Sequence, residues 1–421
     1  MITLPYGKTG MPLEEGNAAV LHSHIAELKS DVPGRELVRR ALEAPIGSPR
    51  LRDLAKGKKT CCFIISDHTR PVPSRDIVPE MLAEIREGSP DIDVFFLVAT
   101  GCHRETRPDE LRAKLGDEIF ESAKILIHDC DSEDNIKIGV LPSGAPLVLD
   151  KKALDADLMV AEGFIEPHFF AGFSGGRKSI LPGICDRVTV LGNHCGAFID
   201  SPFARTGILE NNPIHTDMVD AVKQAGLDFI VNCIIDENKN TAAAFAGDPI
   251  KAHEAGCREL LGYCRIEADP SDIVITTNGG APLDQNFYQC VKCMTAAEAA
   301  AVEGGVIIAL SECADGIGGD YFYAQMSGPQ TAQELYDSFL EVPMEQTPPD
   351  QWQSQIFARV LAHHPVIVVT RPELKEVVEK CKCMYAPTAQ QALEMAFEMK
   401  GRDARVTVIP DGVSVMVQMK K

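Results

Sequence analysis

The sequence has no excess of basic residues and no long apolar segment. Of its 421 residues, 41 are Lys or Arg and 61 are Asp or Glu, which gives a formal net charge of −20. A surface of that sign repels nucleic-acid phosphates, so we expect no nucleic-acid partner. The longest apolar runs, such as residues 94–99, have the length of a strand and not of a membrane span. We therefore also expect no membrane partner.

The sequence also shows no export signal at its start. Residues 1–7 lack the basic region and the apolar stretch of a signal peptide. Fourteen cysteines would indicate a disulfide framework in a short exported chain, but this chain is long. We expect a cytoplasmic protein with reduced thiols. Cys61, Cys62 and Cys233 lie in apolar runs, where cysteine acts as a small hydrophobic residue.

Several common catalytic signatures are missing. The sequence has no HExxH pattern for a zinc hydrolase and no GxGxxG fingerprint after a strand for a dinucleotide. The glycine-rich residues 172–179 are not a Walker A loop, because that pattern requires glycine where Arg177 stands. Cys290 and Cys293 form a CxxC pair without a clear second pair, which disfavours structural zinc.

What the chain does have is an alternation of short β-branched runs with helix-length amphipathic stretches. This pattern is typical of an α/β protein with mainly parallel sheets. At 421 residues the chain is too long for one ordinary core. We predict two α/β domains, residues 1–267 and 268–421. Within the second domain, residues 342–353 are predicted to form a loop between helices and strands. The predicted strands are 61–66, 93–99, 124–127, 158–161, 229–235, 271–277, 306–310 and 365–370, and the predicted helices are 74–85, 107–115, 285–303, 372–380 and 390–399.

Polar motifs follow directly on the predicted strands. They are residues 67–70, residues 100–104, residues 166–168 and residues 278–280. Ligands of parallel α/β sheets bind outside the carboxyl ends of the strands. Motifs at successive strand ends therefore converge in space, and the sequence predicts a single active site there.

Each motif by itself has two interpretations. Residues 172–179 form either a loop that binds phosphate or carboxylate, or a simple glycine turn. His68, His103, His168 and His194 lie in or beside the loops, where histidine serves as a metal ligand or acid/base, or is simply a hydrogen-bonded residue.

The candidate substrate ligands also have two interpretations each. Arg70 either grips a carboxylate or belongs to a capped turn. Gln289 and Lys292, three residues apart, share one helix face that is either functional or simply solvated.

Taken together, the motifs resemble the nickel-dependent lactate racemase family over residues 60 to 355. The resemblance rests on Asp67-His68-Thr69-Arg70-Pro71, Ala99-Thr100-Gly101-Cys102-His103-Arg104, Pro167-His168-Phe169-Phe170-Ala171-Gly172-Phe173-Ser174-Gly175-Gly176-Arg177-Lys178-Ser179, Gly192-Asn193-His194 and the run from Asn278 through Tyr288-Gln289 to Lys292. Any one of these segments is weak evidence. All five, in this order and spacing, are highly specific.

The resemblance implies an N-terminal domain that binds the cofactor and a C-terminal domain that closes over the substrate, with the active site in the interdomain cleft. The implied cofactor is a nickel pincer nucleotide, a pyridinium mononucleotide with two sulfur arms, which cofactor-assembly enzymes install. Its implied protein contacts are Lys178 as the covalent attachment point, His194 as the nickel ligand, and Asp67, Thr69, Ser174, Gly175 and Gly176 around the nucleotide. Nickel suits a square-planar site with soft sulfur donors.

The implied reaction inverts C2 of a small 2-hydroxycarboxylate. Hydride leaves C2 for the cofactor and returns to the other face. His103 and His168 are the implied acid/bases, one for each enantiomer. The implied substrate ligands are Arg70, Tyr288, Gln289 and Lys292. They would position the reacting carbon.

The residues leave the substrate and two other classes of function open. Family members differ in the 2-hydroxyacid they use, and Ala281, a small residue, is compatible with a roomier pocket. One alternative is a family member that binds an α-hydroxy acid or a nucleotide without catalysis. The other is a metal-dependent dehydrogenase or hydrolase that uses the same histidines. The presence of both Lys178 and His194 favours the racemase.

Overall fold

The computed structural model describes residues 1–14 and 16–420. Its strands are β1 Ile2–Leu4, β2 Met11–Leu13, β3 Ala19–Val20, β4 Thr60–Ser66, β5 Asp93–Ala99, β6 Lys124–Ile127, β7 Ile136–Val140, β8 Pro146–Leu149, β9 Leu158–Phe164, β10 Pro167–His168, β11 Gly172–Phe173, β12 Phe229–Ile235, β13 Thr241–Gly247, β14 Arg265–Ala268, β15 Ser271–Thr277, β16 Ala301–Leu310, β17 Val366–Val369, β18 Met384–Ala386, β19 Val406–Ile409 and β20 Met416–Met419.

The α-helices are α1 Gly34–Glu43, α2 Leu51–Ala55, α3 Ser74–Gly88, α4 Pro108–Leu115, α5 Asp117–Ser122, α6 Lys151–Leu154, α7 Arg187–Asn193, α8 Gly196–Asp200, α9 Pro213–Ala225, α10 Lys251–Cys264, α11 Phe287–Glu298, α12 Asp320–Met326, α13 Ala332–Leu340, α14 Gln351–His363, α15 Lys375–Lys380 and α16 Ala389–Lys400. Short 3-10 helices cover Ile25–Glu27, Gly176–Ser179, Met344–Gln346 and Pro372–Leu374. Among the described residues, no helix is both long and apolar enough to cross a membrane.

The chain folds into two compact units. The N-terminal unit contains Ile25–His194 and Phe203–Tyr263, and the C-terminal unit contains Met1–His24, Cys195–Pro202 and Cys264–Lys421. The sequence-based boundary at 267/268 placed the two short leading segments of the C-terminal unit in the N-terminal domain. Strand pairing explains why the first of them packs elsewhere, since β3 adds to the edge of β19.

The N-terminal unit is built on a six-stranded sheet in the order β13-β12-β9-β4-β5-β6. All neighbours are parallel except β12 and β13. The chain runs outward through β4, β5 and β6 and then returns to place β9 on the other side of β4. This reversal is a topological switch point, and ligand sites of α/β sheets lie outside the carboxyl ends of the strands at such points.

The sheet of the N-terminal unit is covered on both faces, as parallel sheets are. All residues of β4 from Cys61 to Ile65 are buried, which accounts for the unbroken apolar run in the sequence. The rings of Phe63 and Phe96 pack against each other across β4 and β5, tilted by 33° with centroids 5.1 Å apart. Ile77 and Met81 of α3 join the same core. A rigid central sheet therefore supports the loops at its carboxyl edge.

The C-terminal unit carries a second six-stranded sheet, in the order β18-β17-β16-β15-β19-β3, with every pair parallel. The predicted α/β class with mainly parallel sheets is confirmed. Two sequence-based bounds were wrong. The Ala-rich segment 285–303 is helical only as α11, because its last residues start β16, where Ala301 pairs with Ser271. The predicted loop 342–353 contains a 3-10 helix and the start of α14.

Candidate active site

The loop after β4 begins with Asp67, a buried carboxylate at the switch point. Its Oδ1 accepts hydrogen bonds from the backbone N–H of Thr69 at 3.1 Å and from its hydroxyl at 2.7 Å. Its Oδ2 lies 2.7 Å from Nδ1 of His103. Burial alone would raise the pKa of Asp67, but the bonds from His103 and Thr69 outweigh it and hold this pKa below the usual value. The carboxylate is therefore charged and has a partner at each oxygen.

His103 lies in the loop after the neighbouring strand β5, and its side chain is 49% exposed. Because Asp67 accepts at Nδ1, the neutral imidazole carries its proton on that nitrogen and its lone pair on Nε2. A histidine oriented by a carboxylate, with its second nitrogen open to exchange protons, is the usual arrangement of a general base. The family resemblance implies a contact between Asp67 and the cofactor. Its bond to His103 was missed, although the pairing of Ser66 with Ala99 brings the two loops together.

The other polar residues of the β4 loop differ in their surroundings. The Nδ1 of His68 lies 3.2 Å from the hydroxyl of Thr106, and burial lowers the pKa of this histidine. Arg70 is half-buried, and its charge contributes to the low pKa of Asp67. Within residues 1–14 and 16–420, the Arg70 guanidinium forms no ion pair, as expected of a group that receives an anionic ligand.

After β9 the chain forms the small hairpin β10-β11, which presents His168. Its Nε2 lies 3.0 Å from Nζ of Lys178, and the backbone N–H of Ala171 points at its Nδ1 at 3.3 Å. A hydrogen bond between two nitrogens needs a lone pair on one of them. His168 and Lys178 therefore do not both act as donors in this contact, and their protonation states are linked.

The ring of Phe170 brings three of the predicted site residues together. It meets His168 edge to face with centroids 4.5 Å apart, and His194 in the same way at 5.2 Å. The Nζ of Lys178 lies 5.9 Å from the centre of the same ring. The family resemblance implies that His168, Lys178 and His194 belong to one site. In the N-terminal unit, all three lie around the ring of Phe170.

His194 follows the last residue of α7 and is buried. Its Nδ1 lies 3.0 Å from the carbonyl oxygen of Val190. A carbonyl only accepts, so Nδ1 carries the proton and Nε2 carries the lone pair. Burial and the nearby Lys178 lower the pKa of His194 to about 3. The imidazole is thus fixed as the neutral tautomer that metal ions bind through Nε2.

The glycine-rich turn that leads to Lys178 is tied to its own unit. The hydroxyl of Ser174 accepts from the N–H of Glu166 at 3.0 Å, and the N–H of Gly176 donates to Oδ1 of Asn232 at 2.6 Å. Gly175 has φ of +78°, and a Cβ there would lie 2.6 Å from the carbonyl oxygen of Phe164. Close packing and a left-handed backbone therefore explain the glycine, as in the simple-turn interpretation.

Behind the turn lies Arg177, a buried cation that the sequence analysis used only to reject a Walker A loop. Its Nη2 donates to the carbonyl of Ala171 at 2.6 Å, and its Nη1 contacts the carbonyls of Ser174 and Gly175 at 3.4 Å each. Nη1 also lies 2.9 Å from Nε2 of His253. Burial lowers the pKa of Arg177 to about 10. No sequence motif predicts the contact between Arg177 and His253, which lies in the distant helix α10.

The remaining predicted residues belong to the C-terminal unit. Tyr288, Gln289 and Lys292 lie on one half-buried face of α11. The Tyr288 hydroxyl donates to Oδ1 of Asp350 at 3.3 Å. At the end of β15, the side chain of Asn278 bonds the carbonyls of Leu283 and Gln289 and the N–H of Cys293. Asn278 therefore fastens the loop to the helix that presents these residues.

The N-terminal unit is thus an α/β unit that contains a carboxylate-oriented histidine, a second histidine beside a lysine, and a neutral buried histidine, a set of groups typical of an enzyme. Comparison with known proteins narrows this class. The family model for the lactate racemase N-terminal domain matches residues 6–207, and that for the lactate racemase C-terminal domain matches residues 266–417.

Curated relatives and solved structures agree with the family models. A lactate racemase from Thermoanaerobacterium thermosaccharolyticum is 48% identical over 423 residues, covering 100% of this chain and 99% of the relative. A lactate racemase from Lactiplantibacillus plantarum is 46% identical, with 99% of each chain covered. The structure of the lactate racemase apoprotein from T. thermosaccharolyticum superposes with a TM-score of 0.95 over 99% of each chain.

The chain therefore belongs to the lactate racemase family. It is a racemase, and hence an isomerase. A Thermotoga maritima protein of known structure is 16% identical, with a TM-score of 0.65, and covers 92% of this chain and 97% of its own. That likeness concerns the fold alone.

Proposed function

We propose that this racemase interconverts the enantiomers of lactate or of a closely similar small 2-hydroxycarboxylate, using a nickel pincer nucleotide. The support for the substrate is the name shared by two relatives of 46–48% identity over the whole chain. The observation that carries the chemistry is the pair formed by Asp67 and His103, whose facing atoms are 2.7 Å apart. It supplies an oriented base beside Arg70, which forms no ion pair with any residue that the structure describes.

The residues present fit such a cofactor. His194 offers Nε2 of a neutral imidazole as one nickel ligand, and Lys178 offers an amine for covalent attachment, both beside Phe170. Among the described residues, the one cluster of His, Cys, Asp or Glu with metal-binding spacing is at Asp129 to Asp131. Nickel at His194 would therefore need most of its ligands from the cofactor itself. When bound, this cofactor supplies a reversible hydride acceptor.

The residues proposed to contact the nucleotide differ in how far their surroundings support that role. Thr69 is exposed, and Gly175 and Gly176 open the turn next to Lys178. Ser174 and the Gly176 N–H already bind within the unit. We therefore infer that the turn acts mainly by placing Lys178, and that Asp67 acts on the cofactor indirectly, through the conformation of its loop.

The two remaining histidines exchange the hydroxyl proton of the substrate. His103 accepts it at Nε2, since Nδ1 is committed to Asp67. His168 acts on the other enantiomer, and its Nε2, which lies 3.0 Å from Nζ of Lys178, exchanges the proton with the substrate. Racemisation needs a base for each hand of the substrate, because inversion presents the hydroxyl from a different direction.

Arg70 is the group we propose for the substrate carboxylate. Its planar guanidinium suits two parallel hydrogen bonds to a carboxylate. From the C-terminal unit, we propose that Tyr288, Gln289 and Lys292 complete the binding of the carboxylate and hydroxyl. Such contacts raise the rate by holding the reacting carbon in place.

The test is racemisation by protein co-produced with the family's cofactor-assembly enzymes. We expect D- and L-lactate to interconvert in a chiral chromatographic assay, with near-stoichiometric nickel and an added mass on the peptide that contains Lys178. With substrate deuterated at C2, hydride return predicts that the product keeps the label in ordinary water. Wash-out of the label would overturn hydride transfer in favour of proton abstraction from C2.

A matched variant separates cofactor loading from catalysis. Lys178→Ala is expected to lose the added mass, whereas His103→Ala keeps both mass and nickel but loses turnover. A preparation without adduct or nickel, made beside a relative that loads normally, would overturn the cofactor assignment. It would favour the alternative in which the chain binds an α-hydroxy acid without catalysis.

A further inference from the structure

One cysteine differs from all the others. Of the fourteen cysteines, thirteen are buried and Cys102 is partly exposed. It follows β5 and directly precedes His103. Nothing in the proposed reaction uses its thiol. Its position at the edge of the site makes it the cysteine most accessible to a small reagent in solution.

Cys102 has a second thiol as its neighbour. The side chains of Cys102 and Cys130, the third residue after β6, lie close enough to interact. The backbone holds the two segments together, because the hydroxyl of Thr100 donates to the carbonyl of His128 at 2.8 Å. The N–H of His128 in turn donates to the carbonyl of Val98 at 3.1 Å. The two thiols are thus neighbours because each lies in the loop after one of two adjacent parallel strands, β5 and β6.

A cation adjoins the pair. The Nη2 of Arg187 lies 3.3 Å from Sγ of Cys130, and the same guanidinium forms two bonds to Asp131, at 2.7 and 2.6 Å. Arg187 therefore occupies the acidic cluster of Asp129, Cys130 and Asp131 and leaves it unsuited to a metal ion. The contact with Cys130 and the charge of Arg187 hold the pKa of Cys102 below its ordinary value, while the same contact raises the pKa of Cys130.

We propose that Cys102 and Cys130 form a reversible disulfide when the protein meets a hydroperoxide. The Cys102 thiolate attacks the peroxide O–O bond, so that a sulfenic acid forms on Cys102 and hydroxide leaves. The Cys130 thiol then attacks that sulfur, an S–S bond forms, and water leaves with the sulfenic oxygen. The two thiols lose two electrons in all, and one equivalent of peroxide gains them. A dithiol reductant reverses the step by exchange.

The molecule contains its own control. Cys290 and Cys293 are also neighbours, and the Cys293 thiol donates to the Cys290 carbonyl at 3.2 Å. Both are buried in the C-terminal unit, and the interaction with Cys293 and burial raise the pKa of Cys290. Both pairs place two thiols near each other, while the exposure and the thiolate character of the first cysteine differ. Thiol oxidation follows thiolate character and access, so the first pair is expected to react at least about tenfold faster than the second.

The test is a hydrogen peroxide titration of the full chain, read by intact mass and by mapping of peptides after alkylation. We expect a loss of about 2 Da per molecule, reversed by dithiothreitol, with the cross-link between the peptides of Cys102 and Cys130. In Cys130→Ser, we expect a sulfenic acid on Cys102 that dimedone traps. Cys102→Ser is expected to form no early cross-link.

Two results would overturn the proposal. One is wild-type Cys102 passing to sulfinic acid without any cross-link to Cys130. The other is a first cross-link at Cys290 and Cys293. Both are read on the wild-type chain, so neither depends on how a variant folds. The modification would alter the loop that carries His103, and its test holds whether or not the proposed reaction is correct.

Discussion

Two histidines in the N-terminal unit are held in opposite ways. His103 is half-exposed and bonded through Nδ1 to a charged carboxylate, Asp67. His194 is buried and bonded through Nδ1 to a backbone carbonyl, that of Val190. A carboxylate stabilises the imidazolium that forms when the ring takes a proton, whereas a neutral carbonyl in a buried site leaves the ring neutral. The surroundings thus suit the first ring to proton transfer and the second to metal binding.

The strongest test of these different roles is to remove the imidazole rings of His103 and His194 one at a time. His194→Ala is expected to lower the nickel content and to abolish racemisation, because the one proposed protein ligand to nickel would be lost. His103→Ala is expected to retain nickel and to lose about a thousandfold in kcat, which is within the range for general acid/base catalysis. Metal analysis and the chiral assay measure the two effects.

His68→Ala is the matched control, since His68 is another loop histidine and follows the adjacent strand β4. We expect it to retain nickel and most of the activity. If His103→Ala lost nickel as fully as His194→Ala, the division of roles between the two rings would be refuted.

The next largest effect concerns the carboxylate itself. Asp67→Asn keeps the shape of the side chain but removes the charge that stabilises the His103 imidazolium. We expect kcat to fall by about 100-fold or more, with nickel content unchanged. Asp67→Glu is the control that keeps the charge. Equal kcat for wild type and Asp67→Asn would show that the 2.7 Å contact has no catalytic role.

The same variant has a signature in stability. The folded-state pKa of Asp67 lies below its usual value, so the carboxylate stabilises the fold above the pKa of the unfolded chain. That stabilisation is lost as the pH falls through the folded-state pKa. Wild type is therefore expected to lose unfolding free energy more steeply than Asp67→Asn as the pH falls below about 4. Denaturant titrations at several pH values measure the difference.

The sequence predicted much of this region and missed parts of it for physical reasons. Strand ends are visible as polar residues after apolar runs, so the loops of Asp67, His103 and His168 could be assigned to one edge of a parallel sheet. The partners of the glycine turn could not, because Asn232 and His253 lie in a buried strand and a helix without any motif. Their roles depend on tertiary packing across more than 50 residues of chain.

The sheet pairing of β3 was missed for a related reason. Ala19–Val20 is too short for a periodic pattern, and its pairing with β19 joins residues almost at opposite ends of the chain. The end of the Ala-rich helix α11 was misplaced because intrinsic helix propensity is a weak guide where a strand partner competes for the backbone. Long-range pairing decided both cases.

The smallest expected effect is that of replacing Arg177, whose guanidinium holds the glycine-rich turn that leads to Lys178. Arg177→Met removes the donors to three carbonyl oxygens of the turn. Buried carbonyls without partners cost free energy, so we expect the unfolding free energy to fall by about 2–4 kcal/mol. Thermal denaturation of the apoprotein measures this loss. Arg177→Lys, which keeps a charge but not the fork of donors, is expected to lie in between.

The same variant separates positioning from general stability. If Arg177 sets the conformation of the turn that leads to Lys178, Arg177→Met should slow formation of the Lys178 adduct while a stability-matched core variant, such as Met81→Ala in α3, should not. Because His194 lies on a different segment and is held by Val190, the neutral imidazole should persist in both variants. An NMR spectrum that showed His194 protonated at neutral pH in Arg177→Met would mean that the turn, and not the carbonyl bond, fixes that ring.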